Sequence, residues 1–327
     1  MDWHYKFKEL SYRLRTQLHV LSAHPSQGMI LMLHRVAESS EEFCNSRLAH
    51  LFVTKDFLEN LIVDLREQDY EIISMDQLWL DLTNDQLKSK FVVLTFDDGY
   101  RDSYDTAFPV LNKHAVPFTI YVPTAVPDTA FIWWYYMLDD LVCRNDAVEL
   151  SVMGRVHCYD MYSNEQKQAA YSSLEHRINS IEPAYRNDLL TSFFSRYGLD
   201  AAAYSNKLSI SWEQLAELAE SGLATIGGHS VNHYNLAQLS LPDACNEMQF
   251  GRKRLEDKLG ITVDHFSYPF GCKSAAHFRE FELAKSLGFK TCTTSRHGCI
   301  TYGHKYYLER LPRFSVNNDT TAHSLGH

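Results

Sequence analysis

"FVVLTFDDGYRDS", residues 91–103, joins a run of apolar residues directly to two adjacent carboxylates and a glycine. The run from Phe91 to Phe96 predicts a buried strand, and Asp97, Asp98 and Gly99 follow it without a spacer. The simpler interpretation is a strand that ends in a polar turn, where aspartate and glycine are common. The alternative is a bound cation, because two carboxylates beside an apolar wall otherwise repel each other.

Short apolar runs and amphipathic helical patterns alternate along most of the chain. The runs predict strands at Met29–Leu33, Val92–Phe96, Pro117–Val122, Ala224–Ile226, Phe266–Tyr268 and Phe289–Thr293. The helical patterns predict helices at Lys55–Gln68, Pro242–Leu259 and Ala275–Leu287. Such alternation over 327 residues predicts an α/β chain built on a parallel sheet, either open or closed into a barrel.

The composition is that of an ordinary globular protein, with 45% hydrophobic and 22% charged residues. The 31 basic and 41 acidic residues give a net charge of −10, which disfavours a nucleic-acid backbone as the main partner. Seven scattered cysteines without a CxxC pair indicate reduced thiols. Because the N-terminus also lacks the apolar region of a signal peptide, we expect a cytoplasmic protein.

Residues 1–28 are predicted to form an amphipathic helix that precedes the main domain. Apolar residues recur there at helical spacing, and basic residues lie off that stripe. The favoured interpretation is a helix packed on the main domain. The alternative is a helix whose residues 3–21 lie on the inner membrane surface, because aromatic and basic amphipathic helices bind there.

The second motif is "GGHSVNH", residues 227–233. The i, i+4 spacing of His229 and His233 predicts that both lie on one face of a helix, where two imidazoles can bind one transition metal. Gly227 and Gly228 permit close approach of the backbone just before them. Two imidazoles and one carboxylate of the Asp-Asp pair leave an open position on the ion, as in catalytic zinc sites. The other carboxylate is then available as a base.

"LTFDDGY" at 94–100 together with "GGHSVNH" resembles the NodB-homology polysaccharide deacetylase family. "SYPFG" at 267–271 resembles its third motif, and "ILMLHRV" at 30–36 and "LPRFSV" at 311–316 resemble its poly-N-acetylglucosamine deacetylase branch. The resemblance covers 29–316 except 131–211, and it assigns 29–327 to one deacetylase domain. It implies a distorted (β/α)7 barrel, a divalent metal that is most often zinc, and hydrolysis of N-acetyl groups on sugars.

The resemblance also implies roles for individual residues. Asp98, His229 and His233 match the metal ligands, and Asp97 matches the general base. The substrate implied is an N-acetylated amino sugar of a cell-surface polysaccharide or lipopolysaccharide, or its precursor. Two alternatives stay open, namely an amide hydrolase that acts on a non-sugar substrate and a non-catalytic carbohydrate-binding homologue.

Further roles come from the flanking motifs. His34 matches the general acid, although a histidine with an ordinary structural role at a strand end is the alternative. The backbone N–H of Tyr100 matches a donor to the oxyanion. Ser267 departs from the family, because an arginine that orients the base usually opens this motif. Arg313, or less favourably Arg310, is the candidate replacement, and the alternative for both is a surface ion pair.

Residues 131–211 interrupt the alternation and predict a mainly helical insertion. The segment follows the strand "FTIYV", so it should lie at that strand's carboxyl end, where barrels have their active sites. Near its start are four consecutive aromatic residues: Trp133, Trp134, Tyr135 and Tyr136. They form either a wall on which a sugar stacks or the insertion's own small core, and we slightly favour the core.

Overall fold

The computed structural model describes residues 28–43, 46–152 and 154–320, without the side chains at 183 and 184. Residues 1–27 lie outside the described part of the chain. The predicted N-terminal helix, including residues 3–21, therefore lies outside it up to residue 27. Within them, no helix combines the length and the apolar character that crossing a bilayer requires. The six cysteines that the structure describes are free thiols.

A curled parallel sheet forms the centre of the molecule. The strands in chain order are β1 (Met29–Leu33), β2 (Arg35–Ala37), β3 (Phe52–Thr54), β4 (Glu71–Ile72), β5 (Phe91–Phe96), β6 (Phe118–Val122), β7 (Ala147–Val152), β8 (Arg155–Asp160), β9 (Ala224–Gly228), β10 (His265–Ser267), β11 (Thr291–Thr293) and β12 (Phe314–Ser315). Seven of them pair side by side in the order β11-β10-β9-β6-β5-β1-β12, and β4 adds to β5. Every pairing in this sheet is parallel.

The sheet continues round into a ring through the segment before β12. Leu311 forms a parallel bridge with Thr293 of β11, and its N–H donates to the carbonyl of Cys292 at 2.8 Å. Three residues later, Phe314 pairs with Leu31 of β1. The same short segment therefore contacts both ends of the sheet, and the distorted (β/α)7 barrel predicted from the sequence is confirmed.

Helices surround the barrel and fill the insertion. In chain order they are α1 (Lys55–Glu67), α2 (Met75–Thr83), α3 (Phe108–Lys113), α4 (Trp134–Arg144), α5 (Asn164–Asn179), α6 (Pro183–Arg196), α7 (Ala201–Leu208), α8 (Trp212–Glu220), α9 (Leu241–Leu259) and α10 (Phe278–Ser286). A π-helical turn, Ser103–Ala107, precedes α3, and the short 3₁₀ turns are Ser40–Glu42, Ala49–Leu51, Leu236–Gln238, Tyr302–Tyr306 and Leu308–Arg310.

Local signals in the sequence explain where α9 begins and ends. The Ser240 side chain accepts a hydrogen bond from the N–H of Asp243, which caps the first turn. Gly260 ends the helix at a φ of 67°, a left-handed conformation that glycine adopts without steric cost. The three predicted helices and six predicted strands are all present, with ends that differ by up to three residues.

The insertion, residues 131–211, contains α4 to α7 and also an antiparallel hairpin of β7 and β8. The hairpin was not expected in a mainly helical segment. Its first strand alternates exposed and buried residues, with Val148 and Leu150 facing inward, but it is too short for the pattern to be distinctive. The insertion has a hydrophobic cluster of its own, which includes Trp134, Met137 and Phe194.

Candidate active site

The Asp-Asp-Gly turn lies at the carboxyl end of β5, inside the barrel. The N–H of Asp97 still donates to the carbonyl of Leu33 at 3.0 Å, so the strand pairing continues to that residue. Asp98 and Gly99 then adopt left-handed φ values of 73° and 68°. Aspartate tolerates this region better than most residues, and glycine is favoured next because another residue would be strained at this φ and its Cβ would lie 3.1 Å from Cγ1 of Val122. The turn places both carboxylates in one pocket.

His229 and His233 lie in a loop. The prediction that they share one face of a helix is therefore wrong. Strand β9 ends at Gly228, and Ser230 and His233 both have left-handed φ values, of 68° and 55°. The Ser230 hydroxyl accepts the N–H of His233 at 3.0 Å and closes the loop. This turn, rather than a helix, brings the rings of His229 and His233 to a centroid distance of 4.9 Å.

Asp98, His229 and His233 fit a divalent metal ion. The Nε2 atoms of the two histidines lie 3.3 Å and 3.2 Å from Oδ1 of Asp98. One donor atom from each of the three residues lies within 4.8 Å of the other two. The Nδ1 atom of His229 is 2.6 Å from the carbonyl of Ser267, so Nδ1 carries the proton and Nε2 has a free lone pair. Two imidazoles and one carboxylate are the donors that catalytic zinc sites use.

The charge of Asp98 is also consistent with a cation site. Burial raises the pKa of the carboxyl group, but the neighbouring imidazoles of His233 and His229 oppose this effect. The pKa therefore lies well below its ordinary value, and the carboxylate stays charged. A buried, charged carboxylate beside two imidazoles provides the negative ligand that a divalent ion requires.

Asp97 is held by Arg313 through a two-point ion pair. The Nη1 and Nη2 atoms of Arg313 donate to the two carboxylate oxygens of Asp97 at 2.7 Å and 2.6 Å. Arg313 also donates to the hydroxyls of Thr95 and Ser267 and to the carbonyl of Thr294. Both members of the pair are buried, with 1% and 3% of their surface exposed. Burial raises the pKa of Asp97, but the charge of Arg313 outweighs it, and the pKa is lowered overall.

The structure therefore identifies which arginine contacts the proposed base. Arg313 contacts Asp97, whereas Arg310 packs over the ring of Tyr307 at 4.1 Å and lies 3.7 Å from Glu309. The alternative interpretation of Arg313 as part of a surface ion pair is wrong, because that side chain is buried.

His34 and Tyr100 lie beside these groups. His34 follows β1 and lines the same pocket, and burial lowers the pKa of its imidazole below the ordinary value. The ring of Tyr100 is fully buried and stacks on Trp133 at 4.6 Å. Its backbone forms a bridge with Ser209 in which Arg101 and Ile210 are the N–H donors. The N–H of Tyr100 therefore takes no part in the hydrogen bonds of this bridge.

The pocket has a volume of about 440 Å³, and the insertion forms much of its wall. One face of α5 contributes four polar side chains at helical spacing: Gln168, Ser172, Glu175 and Asn179. Trp134 and Tyr135 also line the pocket, whereas Trp133 is buried in the barrel core. Trp134 also belongs to the insertion's own hydrophobic cluster, and Tyr136 packs against the barrel core, so neither predicted alternative holds for all four aromatic residues. This face of α5 was not predicted from the sequence, although the polar repeat at i, i+4, i+7 and i+11 indicates it.

Comparison with known proteins gives the family. The polysaccharide deacetylase family model matches residues 84–292, which is more than half of the chain. The chain therefore belongs to the polysaccharide deacetylase family, a class of carbohydrate deacetylases. A stretch of 99 residues is 33% identical to YxkH of Bacillus subtilis (strain 168). That stretch is 30% of this chain and 32% of YxkH, so the match spans about a third of the relative.

Solved structures of deacetylases share the fold. The Streptococcus pyogenes deacetylase PplD, in complex with acetate, superposes with a TM-score of 0.61 at 20% identity, over 92% of this chain and 97% of PplD. IcaB from Ammonifex degensii gives 0.56 at 20% identity, over 89% and 92% of the two chains. A de-N-acetylase from Aggregatibacter actinomycetemcomitans gives 0.59 at 15% identity, over 91% and 98%. At these identities, the similarity establishes the fold.

Proposed function

We propose that this chain is a metal-dependent hydrolase that removes the N-acetyl group from an amino sugar of a cell-surface polysaccharide or lipopolysaccharide, or its precursor. The observation that supports it most is the division between the two adjacent carboxylates. Asp98 faces two imidazoles, whereas Asp97 faces a buried arginine. One carboxylate is thus suited to bind a cation, and its neighbour is suited to handle a proton.

The metal site would consist of Asp98, His229 and His233, and zinc is the proposed ion because catalytic zinc sites use two imidazoles and one carboxylate. When bound there, a divalent ion would supply a Lewis acid, which is the chemistry that polarises a carbonyl group and lowers the pKa of water. The Ser267 carbonyl fixes the ring of His229, so this ligand is oriented before any ion binds.

The other residues move protons and stabilise charge. Asp97 is ionised and is oriented by Arg313, so it accepts a proton from water as the water oxygen attacks the acetyl carbon. The backbone N–H of Tyr100 donates to the developing oxyanion. His34 gives a proton to the sugar nitrogen as the carbon–nitrogen bond breaks. Burial lowers the pKa of His34, which makes its protonated form a stronger acid but a minor species at neutral pH. The products are acetate and a free amino sugar.

Acetate release is the direct test. The full chain, stripped of metal and then reloaded with zinc, is incubated with N-acetylated glucosamine oligosaccharides, an N-acetylated lipopolysaccharide and simple non-sugar acetamides. We expect zinc-dependent acetate release from the sugars. Release from the acetamides alone would favour the amide hydrolase, and glycan binding without release under every metal would favour a non-catalytic homologue.

A further inference from the structure

Arg186 lies on α6 in the insertion and lines the pocket that contains the proposed metal ligands. Only 6% of its surface is exposed. Its guanidinium lies over the ring of Tyr234, with 5.1 Å between the guanidinium carbon and the ring centroid. Nη2 makes one long hydrogen bond, of 3.5 Å, to the carbonyl of Ile181. A cation at a pocket wall with so few contacts requires an explanation.

The charge of Arg186 has no carboxylate partner in the described part of the chain. Its Nε is buried and makes no hydrogen bond there. Glu175 also lines the pocket but forms no ion pair with Arg186 among the described residues. The other buried arginine of the pocket, Arg313, is paired with Asp97. Burial lowers the pKa of Arg186, and Tyr234 alone opposes it. A buried charge without a partner is costly for a fold, so a ligand that supplies the partner binds favourably.

The position of Arg186 relates it to the reaction site. Tyr234, over which the guanidinium lies, is the residue directly after His233. Arg186 therefore contacts the residue that directly follows a proposed metal ligand, and it does so from the insertion side of the pocket. Gln168 and Asn179 of α5 line the same pocket and can contact sugar hydroxyls. A sugar whose N-acetyl group lies at Asp98 can thus extend toward the arginine.

We infer that Arg186 binds an acidic group, a carboxylate or a phosphate, on the N-acetylated sugar that this pocket accepts. The inference rests on the proposed function and defines its substrate class. A guanidinium matches both anions because its parallel N–H groups can donate to two oxygens at once. The insertion then selects acidic substrates, while the barrel supplies the residues for deacetylation.

Three small N-acetyl sugars separate the two sources of the anion. N-acetylglucosamine is neutral, N-acetylglucosamine 6-phosphate has a phosphate, and N-acetylmuramic acid has a carboxylate. Stopped-flow tryptophan fluorescence measures their binding to the zinc-loaded chain before turnover, because Trp134 lines the pocket. Arg186→Met removes the charge, and Arg186→Lys keeps it without the planar geometry. Arg177→Met is the matched control, because Arg177 lies in the same insertion and contacts Tyr159 and His157 instead.

We expect at least one acidic sugar to bind the wild-type chain about tenfold or more tightly than the neutral sugar. Arg186→Met should weaken binding of that acid by about 10- to 100-fold, the usual effect of a charged hydrogen bond, and change the neutral sugar little. Arg186→Lys should lie between, and Arg177→Met should match the wild type. Equal weakening of acidic and neutral sugars by Arg186→Met would show that the arginine only packs the insertion, and would overturn the inference.

Folding and function are separated within the same experiment. If Arg186→Met does not fold, the binding of acidic and neutral sugars by the wild type and by Arg186→Lys decides the question. A wild-type chain that binds both acidic sugars no more tightly than the neutral sugar would overturn the inference. Acetate release is recorded separately on the same samples. Selective binding of an acidic sugar without acetate release would refute the proposed deacetylation but not the anion site. Acetate release without a preference for acidic sugars would refute the anion site but not the deacetylation.

Discussion

Arg313→Met removes the guanidinium that pairs with Asp97 and leaves an apolar side chain of similar length. Only 1% of Arg313 and 3% of Asp97 is exposed, so solvent compensates poorly for the lost partner. Removing one member of a buried ion pair typically costs about 3–5 kcal/mol. The substitution also removes the hydrogen bonds to Thr95 and Ser267. We expect the free energy of unfolding, measured by urea denaturation at pH 7.5, to fall by about this amount.

The same substitution should reduce activity beyond its effect on folding. Without Arg313, the largest effect that opposes burial is lost, so the pKa of Asp97 rises and a smaller fraction of the group is ionised and able to accept a proton. Its oxygens are also no longer fixed by two hydrogen bonds. We expect kcat for acetate release to fall by at least ~10²-fold under conditions where the variant is folded, since a positioned base contributes that much.

Arg310→Met is the matched control, because that arginine packs on Tyr307 instead. It should leave kcat nearly unchanged. A second comparison uses Ser267, whose hydroxyl is 3.3 Å from the same carboxylate. Adding Ser267→Arg to Arg313→Ser should recover roughly tenfold in rate, the effect of one charged hydrogen bond. The reasoning is refuted if Arg313→Met loses less than about 1 kcal/mol and keeps near-normal kcat.

Three further predictions address the ligands, the base and pH. Replacing His229 or His233 with alanine should abolish stoichiometric metal binding in elemental analysis, and full occupancy in the double variant would exclude this site. Asp98→Asn should lose metal affinity and regain activity in excess zinc, whereas Asp97→Asn should keep its metal and lose at least ~10²-fold in kcat, and equal metal loss in both would contradict the assignment. The third concerns His304, whose Nδ1 accepts a backbone N–H at 2.9 Å and whose pKa burial lowers to about 4. Its contribution to stability is complete above the unfolded value of about 6.5 and is lost as pH falls toward 4, by up to about 3 kcal/mol. His304→Gln should flatten this part of the curve of unfolding free energy against pH, and an unchanged slope would refute the assignment.

Local patterns were sufficient for the parallel sheet and for the Asp-Asp-Gly turn, whereas the closed barrel was predicted only through the family resemblance. The apolar run from Phe91 to Phe96 is a buried strand, and Asp97 and Asp98 follow it at the edge where parallel strands end. The loop at His229 and His233 could not be predicted in the same way. An i, i+4 spacing fits a helix, and nothing local indicates left-handed conformations at a serine and a histidine.

Contacts between distant residues were less predictable. Arg313 and Asp97 are 216 positions apart, and only the family resemblance identified Arg313 as a candidate. Arg186 belongs to no motif, and its significance depends on the absence of a carboxylate partner in the described structure, which a sequence does not show. The N-terminal helix, its membrane contact and the cytoplasmic location stay predictions.

The serine in the third motif is explained by the geometry of a closed ring. Ser267 ends β10 and pairs with Thr293 of β11, and the Leu311 bridge brings the segment before β12 to the other side of β11. A side chain at Ser267 and one at Arg313 therefore approach the same carboxylate, that of Asp97, from positions on either side of one strand. An arginine beside the proposed base can therefore come from either position in this fold, and here it comes from Arg313. The departure at Ser267 is thus no argument for a non-catalytic homologue, because the ion pair that the departure would remove is present.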